Sequence, residues 1–136
     1  METNRVYQTH NRQEDKLFRA LVRVYATYIA ATAIWPILHI ESFMLVTGYK
    51  HDVWLVKTVG ALLIPIAASL YSYLFVDTDR IPAIILGGAT ALAFIIVDFY
   101  YALNDVISDI YLADGIVEIL FLCAWIYVGF SRIRKR

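Results

Sequence analysis

The chain has 136 residues, of which 60% are hydrophobic and 18% charged, and its twelve basic residues balance twelve acidic ones. A soluble domain of this size rarely has so apolar a composition, and four apolar segments are each long enough to span a bilayer as a helix. Because these segments take up most of the chain, they exclude a separate soluble domain. We predict an all-α integral membrane protein, a four-transmembrane-helix up-and-down bundle.

The predicted elements begin with residues 1–14, a polar segment that we expect to form a mobile tail. Predicted helices follow at about residues 17–46, 53–76, 81–102 and 106–131, and the short loops between them make consecutive helices antiparallel neighbours. Ten of the twelve basic residues flank one predicted side of the bundle, so the positive-inside rule favours an N-in/C-in orientation. The start of the chain lacks the apolar core of a secretory signal peptide. We expect a multi-pass protein of a plasma membrane or a bacterial inner membrane.

The first predicted helix carries two ionisable residues near its outer end, His39 and Glu41. They lie two positions apart and point about 200° apart on a regular helix, which disfavours a shared metal site. The chain has neither an HExxH nor an ExxH spacing, and no second histidine is predicted at membrane depth. We therefore predict no metal site, and we include His39 only as a contributor that can accept protons near neutral pH.

The second and third predicted helices add one cation, one acid and a small-residue face. Lys57 lies about 6 Å below the outer end of its helix at 1.5 Å per residue, and Asp98 lies late in the next one. Gly87 and Ala91 are four residues apart on that helix, a spacing that lets helix backbones approach closely. We expect this face to pack within the bundle, and the alternative is a homo-oligomer interface.

The last predicted helix carries Asp114 and Glu118, one turn apart on a face shared with Tyr111 and Trp125. Asp114 lies about 12 Å and Glu118 about 18 Å from the helix start, so Glu118 falls near the middle of the bilayer. A carboxylate at that depth costs several kcal/mol unless it faces protein or water, finds a partner or is protonated. Every ionisable group at membrane depth thus falls in the outer half of the predicted bundle.

These groups predict an outward-facing acidic pocket that binds, and in one version transports, a small cationic or protonatable molecule or a cation. The candidate binding residues are Glu41, Lys57, Asp98, Tyr101, Tyr111, Asp114, Glu118 and Trp125. Lys57 is expected to act as an internal counter-ion that a ligand displaces, and the aromatic residues to line the walls with cation–π contact. We expect no cofactor and no nucleic-acid partner, because the basic residues flank predicted spans in a lipid bilayer.

Two alternatives remain open. In shape the chain resembles the small four-helix membrane proteins of the EXPERA type, which include sterol isomerases and ligand-binding receptors, and it is also similar to DoxX-like proteins. The EXPERA resemblance implies acid–base chemistry on a lipophilic substrate, although the spacing assigns no catalytic residue. The small multidrug transporters are similar in size, but their key glutamate lies in the middle of the first helix, whereas Glu41 lies near its outer end. The second alternative is a structural or accessory subunit, in which the buried acids only hold the helices together.

Overall fold

The computed structural model describes the backbone of residues 2–133 and the side chains of residues 12–131. Its helices are α1 (Glu2–Leu38), α2 (Ile40–Thr47), α3 (Val53–Ser72), α4 (Ile81–Leu103) and α5 (Ile110–Ile133). The described part of the chain contains no strand. All of these helices except α2 contain a stretch long and apolar enough to cross a membrane. The predicted all-helical fold with four membrane-length helices is therefore confirmed.

The first predicted helix is divided into α1 and α2 at His39. Pro36 lies three residues earlier and lacks the amide that would bond to the carbonyl of Thr32. His39 leaves the helical conformation, with φ −145° and ψ 75°. Its Nδ1 accepts a hydrogen bond from the backbone amide of Ser42 at 3.2 Å, and its carbonyl accepts one from the Ser42 hydroxyl at 3.1 Å. His39 is thus the N-cap of α2, not a neighbour of the buried acids.

The ends of α1 and α3 also differ from the prediction. α1 begins at Glu2, so residues 2–14 continue the helix where the sequence predicted a separate tail. α3 ends at Ser72, four residues before the predicted end. There the amide of Leu74 bonds to the carbonyl of Tyr71 at 3.0 Å, a three-residue step that is typical of the tighter turn closing a helix.

The last helix starts at Ile110, four residues after the predicted start. The reason is the way in which α4 ends. Asp105 adopts the left-handed conformation, with φ 56°, which short polar side chains tolerate. The amide of Val106 then bonds back to the carbonyl of Tyr101 at 2.9 Å. These residues provide hydrogen bonds to the last carbonyl groups of α4, so they are unavailable to start α5.

The long helices pack as two pairs, α1 with α3 and α4 with α5, and the two pairs meet along α1 and α5 and also along α3 and α4. Within the second pair Gly87 lies against the indole of Trp125, and Gly115 lies against the ring of Phe99. The order of these contacts is reversed between the two helices, so they run antiparallel. Ala91 is completely buried. The Gly87 and Ala91 face therefore packs within the chain.

The bundle has two ends, which we name after one residue at each. The Lys50 end carries the loops at residues 48–52 and 104–109, and the Arg80 end carries the loop at residues 73–80. At the Arg80 end the Arg80 guanidinium bonds to Asp15 at 2.6 Å and lies 4.8 Å from the centroid of the Phe18 ring. The start of α4 is thus joined directly to α1.

Candidate functional site

Three carboxyl groups from α4 and α5 come close together in the half of the bundle towards the Lys50 end. Asp98 is 2% exposed and Glu118 is 0% exposed, whereas Asp114 is half-buried. Asp98 and Asp114 both lie within electrostatic reach of Glu118. We call these three residues the carboxyl cluster. The structure thus brings together the three acids that the sequence placed in one predicted pocket.

Gly115 explains how α4 comes so close to α5 at this level. A Cβ atom added to Gly115 would lie 2.7 Å from the ring of Phe99 and 3.5 Å from the Cβ of Asp98. Only a residue without a side chain leaves room for this approach. Because Gly115 follows Asp114 and precedes Glu118 by three residues, the close packing places Asp98 beside both acids.

Two tyrosines of α1 donate hydrogen bonds to the cluster. The Tyr25 hydroxyl donates to Oε2 of Glu118 at 3.1 Å, and the Tyr28 hydroxyl donates to Oδ1 of Asp114. Both bonds join the two helix pairs, since α1 belongs to one pair and α5 to the other. These tyrosines are not among the residues predicted from the sequence. The available signal was their spacing: Tyr25 and Tyr28 are about one turn apart on an apolar helix, as Asp114 and Glu118 are on theirs.

The cluster retains hydrogen-bonding capacity that the described residues do not use. Oδ2 of Asp98 and Oε1 of Glu118 are buried without a hydrogen-bond partner, and so is Nε1 of Trp125. Within the described side chains, no lysine or arginine forms an ion pair with these acids. Buried polar atoms in native structures nearly always have a partner. A proton or a cation would provide one for each carboxyl group.

The lysine that lies over Tyr111, a neighbour of Asp98, is Lys50. The Lys50 ammonium donates to the carbonyl of Thr47 at 3.0 Å and lies 4.9 Å from the centroid of the Tyr111 ring. Tyr111 interacts with the Thr47 side chain and lies within reach of the Asp98 charge. Partial burial lowers the pKa of Lys50 below its ordinary value. Lys57 is exposed on α3, the described contacts do not bring it to the three acids, and its role as an internal counter-ion stays a prediction.

The remaining predicted residues lie apart from the cluster or at its edge. Glu41 is exposed in the first turn of α2. Tyr101 is 42% exposed and packs edge-on against Tyr100, with ring centroids 5.1 Å apart. The structure therefore does not bring Glu41 or Tyr101 to the three acids.

Trp125 lies beneath the cluster, two helical turns from Glu118 towards the Arg80 end. It is 1% exposed, and its ring lies edge-on to Tyr25 at 5.8 Å and to Phe18 at 6.5 Å between centroids. Tyr25 thus contacts Glu118 through its hydroxyl and Trp125 through its ring. Trp125 thus packs against Tyr25 on the side of the cluster that faces the Arg80 end. The sequence predicted that it would line the wall of a pocket.

Within the part of the chain whose side chains are described, two apolar grooves open on the sides of the bundle. A groove of about 490 Å³, which we call the α1–α5 groove, is lined by Leu17, Ala20, Leu21, Val24, Val117, Leu120, Phe121, Ala124, Tyr127 and Val128. Phe121 also packs against Tyr25 and Tyr28, with ring centroids 4.7 Å and 5.4 Å apart. A smaller groove of about 180 Å³ lies between α4 and α5. Neither groove is lined by the acids of the predicted pocket.

The described residues contain no group of three or more histidine, cysteine, aspartate or glutamate side chains that is placed to hold a metal ion. Comparisons with protein-family models, with curated proteins and with solved structures find no match to this chain. The function is therefore inferred from the residues of the site.

Proposed function

We propose that this chain is a membrane protein that binds a small cationic or protonatable molecule at the carboxyl cluster. One observation carries the proposal: Asp98 and Glu118 each bury a carboxyl oxygen without a hydrogen-bond partner, and no described basic side chain is paired with them. A ligand with a protonated nitrogen would provide both the missing donors and the opposite charge. Neutralising the cluster in this way removes most of the cost of charge at membrane depth.

The surroundings of Lys50 support access from the Lys50 end. Its ammonium already makes the contacts that a ligand ammonium would seek, a backbone carbonyl at Thr47 and the face of the Tyr111 ring. Because Tyr111 lies within reach of Asp98, an entering cation can move from these contacts to the cluster. Lys50 belongs to a loop and can turn towards water as the ligand passes.

The proposal includes the N-in/C-in orientation and a plasma membrane or a bacterial inner membrane as the location. Both rest on the distribution of basic residues. In this orientation the cluster lies in the outer half of the bundle. Transport would also require a route through the Arg80 half, where the α1–α5 contacts are aromatic. Binding is therefore the first activity to test.

The test is isothermal titration calorimetry of the purified protein in detergent with methylammonium, tetramethylammonium and sodium as chlorides. Glu118→Gln and Asp98→Asn remove one charge each with little change of shape, and Glu118→Gln keeps an acceptor for Tyr25. Asp109→Asn is the matched control, because Asp109 is exposed just before α5. We expect the wild type and the control to bind an ammonium ion, and the two cluster variants to lose binding without losing thermal stability.

Two results would contradict the proposal. Binding that is unchanged in both cluster variants would place the ligand elsewhere. If no cation binds to the wild type and Glu118→Gln lowers the unfolding temperature, the cluster serves only to join the helices, as in an accessory subunit.

A further inference from the structure

The α1–α5 groove ends where the carboxyl cluster begins. The lining residues closest to the cluster along the two helices are Val24 on α1 and Val117 on α5. Tyr28 lies four residues beyond Val24, and Asp114 lies three residues before Val117, which is about 6 Å and 4.5 Å along the respective helices. The hydrogen bond between Tyr28 and Asp114 therefore lies just beyond this end of the groove.

The groove itself suits an apolar body. The side chains that line it are aliphatic or aromatic, and its volume of about 490 Å³ falls within the range of sites for small organic molecules. Two of its flanking residues, Val24 and Leu120, are 57% and 66% exposed. The groove is thus open along its side, towards the lipid that would surround a membrane-spanning bundle.

We propose that the ligand is an amphiphilic amine, with its protonated nitrogen at Asp114 and its apolar body in the α1–α5 groove. This inference rests on the proposed function, whose cation it specifies. An anionic side chain at one end of an apolar groove complements a molecule that carries one positive charge at one end of an apolar body. Asp114 is only half-buried, so a nitrogen can reach it, whereas Glu118 lies behind it with an unpartnered oxygen.

The smaller groove lacks this combination of an apolar wall and a nearby carboxylate. This groove, between α4 and α5, is lined by Ile84, Gly88, Trp125, Ile126, Gly129 and Phe130. This lining contains no carboxylate. An amphiphilic amine would find apolar contact there but no partner for its charge. The α1–α5 groove offers both, and it admits the amine directly from the bilayer.

The test compares methylammonium with octylammonium in the full-length protein at one detergent concentration. Ala124→Phe fills the groove, and Ala93→Phe is the matched control, because Ala93 is exposed on α4. We expect octylammonium to bind the wild type about tenfold more tightly than methylammonium, since each buried methylene adds to affinity and leaving the micelle cancels part of the gain. In Ala124→Phe the ratio of the two affinities, octylammonium to methylammonium, should fall close to one while the affinity for methylammonium is unchanged. The control should keep the wild-type ratio.

The outcomes separate the two proposals. If methylammonium binds but the octylammonium ratio is the same in Ala124→Phe as in the wild type, the groove is not used and only this inference is overturned. If neither amine binds to the wild type, the proposed function is overturned as well. We also expect Asp114→Asn to lose octylammonium binding. Retention of that binding in Asp114→Asn, together with its loss in Glu118→Gln, would overturn the placement of the nitrogen at Asp114.

Discussion

The two halves of the bundle join the same helices by different chemistry. Towards the Lys50 end, α1 and α5 meet through the hydrogen bonds of Tyr25 and Tyr28 to carboxylates, beside carboxyl oxygens that have no partner. Towards the Arg80 end, they meet through the edge-on packing of Phe18 and Trp125, and Arg80 adds a link to α1. Among the described side chains, the unpartnered buried groups of the Lys50 half are carboxyl oxygens, whereas that of the Arg80 half is the neutral Nε1 of Trp125. The polar and the aromatic contacts between α1 and α5 are thus separated along the length of the bundle.

The largest effect that we expect concerns the tight packing of the Arg80 half. A Cβ atom at Gly87 would overlap the Trp125 indole, whose other contacts hold it in place. Gly87→Ala should therefore lower the free energy of unfolding by about 1–3 kcal/mol, the usual cost of overpacking. Unfolding in detergent, followed by circular dichroism, measures it.

The neighbouring glycine provides the control for this prediction. A Cβ atom at Gly88 would lie 3.8 Å from the Cβ of Trp125 and 3.9 Å from Cδ1 of Leu122, which is ordinary contact. Gly88→Ala should leave stability unchanged or raise it by up to about 1 kcal/mol, because alanine favours the helix. An equal loss of unfolding free energy in the two variants would mean that the contact of Gly87 with Trp125 is no tighter than that of Gly88.

The second prediction concerns the polar contacts of the Lys50 half. Tyr25→Phe removes the donor to Glu118 and should cost about 1–3 kcal/mol, because both buried carboxyl oxygens then lack a protein partner. The double variant Tyr25→Phe/Glu118→Met removes donor and acceptor together and should recover most of that loss. A double-mutant cycle of unfolding free energies measures the coupling. If the double variant is less stable than Tyr25→Phe alone, Glu118 has another stabilising partner.

The third prediction is a small effect at the Arg80 end. Asp15 bonds to Arg80 at 2.6 Å, but the Asp15 side chain is 57% exposed, so solvent screens the pair. Asp15→Asn should cost less than about 1 kcal/mol, and 1 M salt, where the screening length is about 3 Å, should shrink the difference further. Arg80→Leu should cost more and depend less on salt, because it also removes the contact with Phe18. Equal costs for both variants would assign no stability to that contact.

The smallest expected effect is a pH dependence at the Lys50 end. Partial burial lowers the pKa of Lys50 from its ordinary value of 10.5, so in the alkaline range below 10.5 the unfolded chain binds more protons than the folded protein. Stability due to this group therefore rises as the pH increases through that range. Lys50→Gln should lack this contribution to the slope of the unfolding free energy against pH. Lys50→Arg should lack it too, because arginine stays charged over the Tyr111 ring. A wild-type slope in Lys50→Arg would assign the titration to another residue.

Several features of the site could be predicted because they depend on one helix at a time. The one-turn spacing of Asp114 and Glu118 places them on one face of α5, and length and hydropathy suffice to identify four membrane-length helices. The partners of that face could not be predicted, because they depend on how α1 is rotated against α5. Tertiary packing decides this rotation, and it brings Tyr25 and Tyr28 to the acids.

The position of Lys50 could not be predicted for a different physical reason. Depth along a helix can be counted at a constant rise per residue, and this counting selected Lys57. A loop has no such regularity, and the loop before α3 folds so that the Lys50 ammonium lies over Tyr111. Similarly, the sequence predicted one helix over residues 17–46 and did not indicate that His39 would cap a new helix.

The pairing of the helices has a consequence for assembly. Each pair is a hairpin of helices close in sequence, with α1 and α3 before the loop at residues 73–80 and α4 and α5 after it. We expect two polypeptides separated within that loop to insert into a membrane independently and to associate through the α1–α5 contacts. All three acids belong to the second hairpin, and both tyrosine donors belong to the first. The two fragments would therefore form a split protein, and binding at the proposed site would occur only when both fragments are associated.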